Sequence, residues 1–231
     1  MCSSALHYNP PAQAPPEELF VNTRVISISR QVGTAGEEVA QAVARRMDFR
    51  YIDYQVIQDA ATEAGVSTET VSEAEHTPSL MTRILEALAR NPTMPAAAWA
   101  DPIPLTTNPL YTSNDYRKFV EQVIRDLAEA GGCVIVGHAA QVILRDRLDT
   151  VRVLVTGSDP FRARRIMSGM GVDEKAALKT VERTDRERVE YFDRFYNAGW
   201  LLPCTYDLCL NTDHLNPEQA AEVVAHFASL R

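Results

Sequence analysis

The chain has 231 residues, enough for one domain with a sizeable insert and for a core that needs no disulfide or structural metal. With 45% hydrophobic and 23% charged residues, it is neither wholly disordered nor collagen-like. Thirty-one acidic against 23 basic residues give a net charge of −8, which argues against bulk attraction to nucleic acid or an anionic membrane but leaves room for a local anion site.

Residues 1–23 carry Pro10, Pro11, Pro15 and Pro16 and no basic start, which reads as a flexible tail and not as a signal or transit peptide. From 24 to 231 the pattern is that of one α/β domain. Val25 to Ser29 is a short β-branched run, followed by the small-residue segment Gly33 to Gly36 and a helical repeat through Val39, Ala40, Val43, Ala44 and Met47. A second strand at Tyr51 and Ile52 ends at Asp53, and Val56, Ile57 and Ala60 start a further helix. Residues 76–115 are the least regular part and read as an inserted lobe or lid. Leu80, Ile84, Leu85 and Leu88 give it one amphipathic helix, and the prolines from Pro92 to Pro109 forbid a long element. The segment 91–109 is long enough to reshape a ligand pocket or to form a homodimer contact, and the sequence prefers neither.

A helix is expected from Asp115 to Ala130, stopped by Gly131 and Gly132, then a strand from Cys133 to Val136, apolar enough to be buried on both faces. Helical text through Val142, Ile143 and Leu144 leads to a strand at Val151 to Val155. An arginine-rich helical region runs from Pro160 to about Phe195, the last strand from Asp207 to Leu210, and the last helix begins near Pro217, with Glu218 in its first turn. Strands alternating with helices specify a parallel sheet covered on both faces. No apolar run is long enough to span a bilayer, and Cys2, Cys133, Cys204 and Cys209 form no CxxC or disulfide framework, so a cytoplasmic, reducing location is expected.

Ligands of such sheets bind beyond the carboxyl ends of the strands. Ser29 to Glu37, Asp53 and Gly137-His138 all fall at such ends. The segment Ser29-Arg30-Gln31-Val32-Gly33-Thr34-Ala35-Gly36 is placed like a phosphate loop but departs from G-x-x-x-x-G-K-S/T. Arg30 stands for the first glycine, Ala35 for the second, Gly36 for the lysine and Glu37 for the Ser or Thr. It reads equally as a glycine turn closed by an acid-capped helix. Twenty of the 23 basic residues are arginines. Those of 159–194 (Arg162, Arg164, Arg165, Arg183, Arg186, Arg188 and Arg194) suit either a mobile lid over phosphates or a solvated hairpin with i,i+4 pairs such as Glu182 with Arg186 and Glu190 with Arg194. Asp53 either caps a helix or orients a ligand or water-held Mg²⁺, and His138 either contacts an anion or is an ordinary hydrogen-bonded residue. No HExxH, Cys/His ligand set or G-x-S-x-G is present.

Four blocks in order resemble the cytidylate kinase-like family of the P-loop nucleoside monophosphate kinase group. They are Ile28-Ser29-Arg30-Gln31 through Gly33-Thr34-Ala35-Gly36, Tyr51-Ile52-Asp53, Val134 to Ala140, and Asp207 to Thr212. The resemblance implies a P-loop kinase-like parallel sheet with helices on both faces, an acceptor lobe at 54–115 and an arginine-rich lid at 160–195. It also implies ATP and Mg²⁺ as cofactors and a nucleoside monophosphate such as CMP or dCMP as substrate. By position, Ser29, Arg30, Gly33, Thr34, Ala35, Gly36 and Glu37 would cradle ATP, while Asp53, Gly137 and His138 would face the acceptor. Arg30, Arg162, Arg165, Asp185 and Arg188 would serve transfer, and no metal ligand is assigned. Relatives commonly carry Gly-Ser-Gly-Gly in the loop and an arginine where His138 stands, so the same resemblance leaves open a degenerate nucleotide-sensing protein or a kinase for another phosphorylated metabolite.

Overall fold

The computed structural model describes residues 22–53 and 114–231. The tail read at 1–23 and the lobe read at 54–115 therefore lie almost wholly outside the described residues. Five parallel strands form one sheet in the order β2-β3-β1-β4-β5: β1 Val25–Arg30, β2 Arg50–Ile52, β3 Cys133–Val136, β4 Thr150–Thr156 and β5 Leu208–Asn211. β1 is central, with Ile28 beside Val136 of β3 on one side and beside Val153 of β4 on the other.

Successive residues of a strand point to opposite faces, and here both faces are apolar. Val25, Ile52, Cys133 and Ile135 pack with Val123, Ile124 and Leu127 of helix α2 (Asn114–Ala130), with the short α3 (Ala140–Ile143), and with Phe192 and Trp200. Ile26, Ile28, Val134, Val136, Val153 and Val155 pack instead with Val39 and Val43 of α1 (Gly36–Met47) and with Ala220 and Val224 of α6 (Pro217–Ser229). Burial on both sides is why these strands read as continuous β-branched runs. α6 starts as its text predicts, with Pro217 in the first turn and a capping box between Asn216 and Gln219.

The arginine-rich region is two helices, α4 (Asp159–Met170) and α5 (Glu174–Tyr196), broken at Gly171. They close on each other through Ala163, Ile166, Ala177 and Val181, with Val32 of the β1–α1 loop packed against this small core. The i,i+4 pair on α5 is Arg183 with Glu187 at 3.8 Å, in place of the two expected from the sequence. Among the described residues no helix is long and apolar enough to cross a membrane, and Cys133 is buried while Cys204 and Cys209 are exposed.

Candidate functional site

In this strand order the chain leaves β1 toward β2 and leaves β3 toward β4, so a crevice opens between the carboxyl ends of β1 and β3. The β1–α1 loop fills one wall. Gly33 has φ +80°, and a Cβ there would lie 2.6 Å from the Arg162 carbonyl oxygen, so only glycine lets α4 seat on the loop. Ala35 is left-handed at φ 60° and gives α1 no side-chain cap, which leaves the first amides of the helix without one. Thr34 is fully buried. Its hydroxyl donates to the Gln31 carbonyl at 2.7 Å, and its own carbonyl accepts from the Thr212 hydroxyl at 2.9 Å.

Arg30, the last residue of β1, is the hub. Its Nε donates to Glu37 Oε1 at 2.7 Å, and its field also reaches Asp53 and Tyr51 at the end of β2. A Cβ on Gly137 would lie 2.9 Å from Arg30 Nη1, which places the guanidinium against the turn after β3. Burial pushes the Glu37 carboxyl up, but the Arg30 guanidinium and its hydrogen bond outweigh burial and hold it below its ordinary value.

The turn itself is three consecutive left-handed residues, Gly137, His138 and Ala139. His138 is hydrogen-bonded to the backbone of Asp53, which ties the β2 and β3 ends together. Burial first, and then the nearby Arg30 charge, push its imidazole down to about 4. It is therefore neutral at physiological pH and is not an anion-binding cation there.

The lid arginines divide by burial. Arg162 is fully buried, with its guanidinium bidentate on Asp185 at 2.7 and 2.8 Å and its Nε on the Val32 carbonyl at 2.9 Å. Gln31 joins the pair: its amide donates to Asp185 at 2.7 Å and its carbonyl accepts from the Thr156 hydroxyl. Arg162 and Asp185 thus pin α4 and α5 to the loop and to the end of β4. Arg165 is more exposed and reaches Glu38 in the first turn of α1 at 3.0 Å. Arg188 lies over the Trp200 ring at 5.2 Å and donates to the Arg30 carbonyl. Burial lowers its guanidinium to about 10, with the neighbouring Arg30 charge adding to the effect.

Of the expected site residues, Arg30, Glu37, Gly137 and Arg188 meet at this crevice, with Asp53 and His138 at its β2 side. Ser29 is buried beneath it, hydrogen-bonded to Tyr206, whose hydroxyl donates to the Trp200 carbonyl at 2.6 Å. Gln31, Thr156, Trp200, Tyr206 and Thr212 were not among the expected site residues. Gln31 lies in the β1–α1 loop, but nothing in the sequence sets it opposite Asp185, 154 positions away.

The model of the cytidylate kinase-like family matches residues 25–214. A cytidylate kinase from Pyrobaculum calidifontis is 28% identical over 110 residues, which cover 48% of this chain and 59% of that protein, so the chain spans little more than half the length of this curated relative. Among solved structures, an uncharacterized protein from Eubacterium ventriosum matches at 20% identity and a TM-score of 0.58, over 90% of this chain and 99% of that one. A shikimate kinase from Bacteroides thetaiotaomicron matches at 12% identity and a TM-score of 0.48, over 88% and 96%.

Proposed function

The chain belongs to the cytidylate kinase-like family, and we infer that it transfers the γ-phosphoryl group of ATP to a phosphorylated small molecule, with a nucleoside monophosphate such as CMP or dCMP as the acceptor. The observation that carries this reading is the meeting of the β1, β2 and β3 ends on Arg30, at the switch point of the sheet. ATP would lie along the β1–α1 loop, its phosphates against the first amides of α1 and the Arg30 guanidinium. The acceptor would enter from the side of Asp53, Gly137 and His138.

An acceptor phosphate is already ionised, so in-line attack on the γ-phosphorus needs no general base. The work left to the protein is alignment and charge neutralisation, for which Arg30, Arg165 and Arg188 are the available cations. Arg162 acts as a positioning residue, because Asp185 holds both arms of its fork. Among the described residues no group of three His, Cys, Asp or Glu is set to hold a metal. Mg²⁺ commonly needs only one or two carboxylates beside substrate phosphates and water, and Asp53, at the end of β2 within the field of Arg30, is the carboxylate that would hold it. When bound, it would offset charge on the phosphates.

The test is ADP formation from ATP and Mg²⁺ over a panel of CMP, dCMP, UMP and small phosphorylated metabolites, with a no-acceptor control. Acceptor-dependent multiple turnover is expected, and a flat panel would sink the proposal. The Arg30 to Glu37 pair favours a second reading, nucleotide binding without transfer. Multiple turnover would remove it.

A further inference from the structure

Arg30 and Gly36 depart from the phosphate-loop text as a pair. A Cβ at Gly36 would lie 2.3 Å from Arg30 Cβ and 2.6 Å from Arg30 Cγ. The arginine stem therefore crosses α1 where any side chain at 36 would have to begin. A lysine at 36 and this arginine cannot coexist, and the loop's cation is delivered from the end of β1 instead of from the helix.

That cation is already engaged. Glu37 stands in the first turn of α1 and accepts from Arg30 Nε at 2.7 Å, while its charge also faces Arg188. It thus compensates the two features that would draw a phosphate to this loop, the positive helix end and the arginine. The side chains are 23% and 45% exposed, so the pair is open to an incoming ligand, unlike the Arg162 pair beneath it.

We propose that Glu37 is a built-in competitor for phosphate, the resting counter-ion of Arg30, which a polyphosphate must displace to enter the loop. The inference rests on the kinase reading for its ligand class but not on turnover. Bound phosphate would take over the Arg30 guanidinium, and the Glu37 carboxylate would turn out to solvent. Affinity is then set by the difference between two anions for one cation and is weaker than the loop's shape would give.

Glu37→Gln tests this, because the amide oxygen still accepts from Nε while the charge is gone. The probe is inorganic tripolyphosphate, measured by calorimetry, which requires no nucleoside pocket. The expected result is about tenfold tighter binding than wild type, within the range usual for coupled sites. The gain should shrink to less than about threefold in an Arg30→Gln background and diminish at high salt. Equal or weaker binding by Glu37→Gln, or no binding by either protein, would overturn the proposal. If Glu37→Gln does not fold, Glu37→Ala carries the same expectation. Tighter tripolyphosphate binding with a flat acceptor panel would keep this inference and lose the kinase. Turnover with an affinity indifferent to residue 37 would do the reverse.

Discussion

Replacing Asp185 by asparagine should destabilise the protein by about 3 kcal/mol. The lower end of the range for breaking a buried pair applies because Asp185 is 20% exposed while Arg162 is fully buried. One carboxylate oxygen accepts from Arg162 Nη1 and from Gln31, and the other accepts from Arg162 Nη2. Whichever way the asparagine amide is turned, its NH₂ group meets at least one of these donors, so a buried guanidinium is left partly unpaired as well as uncompensated. For a chain of this size each kcal/mol moves the melting temperature by roughly 2–4 °C, so a drop of about 6–12 °C is expected in a thermal melt, with a lower urea midpoint at unchanged slope. Arg162→Met with Asp185→Leu should recover only part of the loss, since it removes the uncompensated charge but takes away the partners of the Gln31 amide and the Val32 carbonyl. A drop below about 2 °C for Asp185→Asn would refute the pinning role and return Arg162 to the set of arginines free to meet phosphate.

Two further outcomes follow from the loop and the turn. Gly36→Ala should cost about 1–3 kcal/mol by overpacking against the Arg30 stem, and the cost should largely vanish in an Arg30→Gly background; equal melting shifts in both backgrounds would disprove the steric coupling. His138 is held down at about 4 in the folded chain against an unfolded value near 6.5. The unfolded chain binds the extra proton between these values, so the stability contributed by the neutral imidazole is fully present above pH 6.5 and lost as pH falls toward 4. The loss is at most about 3 kcal/mol, because the residue is only partly buried. Urea titrations at pH 4.5, 6.5 and 8 should show this slope in the wild type and a flatter one in His138→Asn, which keeps a residue tolerant of the left-handed backbone. Parallel slopes would rule the imidazole out as the source.

The architecture was legible because each part of it is a local signal. Doubly buried strands read as runs such as Cys133 to Val136, Pro217 and Glu218 mark a helix start, and glycines close β1 and β3. The rule that ligands gather at strand ends points to the carboxyl ends of β1, β2 and β3, and there the structure sets Arg30 beside Glu37 and Gly137, with Asp53 and His138 next to them. The partnerships were not legible, because an ion pair leaves no periodicity. Arg162 and Asp185 lie 23 positions apart, and Gln31 and Asp185 lie 154 apart. Even Arg30 and Glu37, seven apart, meet only once the loop has folded back. The sequence records Arg30, Gly36 and Glu37 as three separate departures from a phosphate-loop text, whereas in space they are one rearrangement: the arginine excludes a side chain at 36 and takes the carboxylate at 37.

This arrangement changes what the arginine surplus means. Arg30, Arg162 and Arg165 each already hold a carboxylate, from Glu37, Asp185 and Glu38 respectively, and Arg188 lies over an aromatic ring and donates to a carbonyl. The crevice is therefore not a basic hole awaiting an anion but a set of satisfied pairs, and a phosphate enters only where its charge outbids a resident partner. Solvent access ranks the pairs by how readily they yield. Asp185 faces a guanidinium with no exposure at all and is also held by Gln31, so it stays. Glu37 and Glu38 are 45% and 28% exposed on cations of 23% and 37%, so they can leave. Both belong to the first turn of α1, so the anions that must yield sit where the incoming phosphates would bind. Ligand entry would then require these two carboxylates to turn away, so the residues at 37 and 38 would set its affinity.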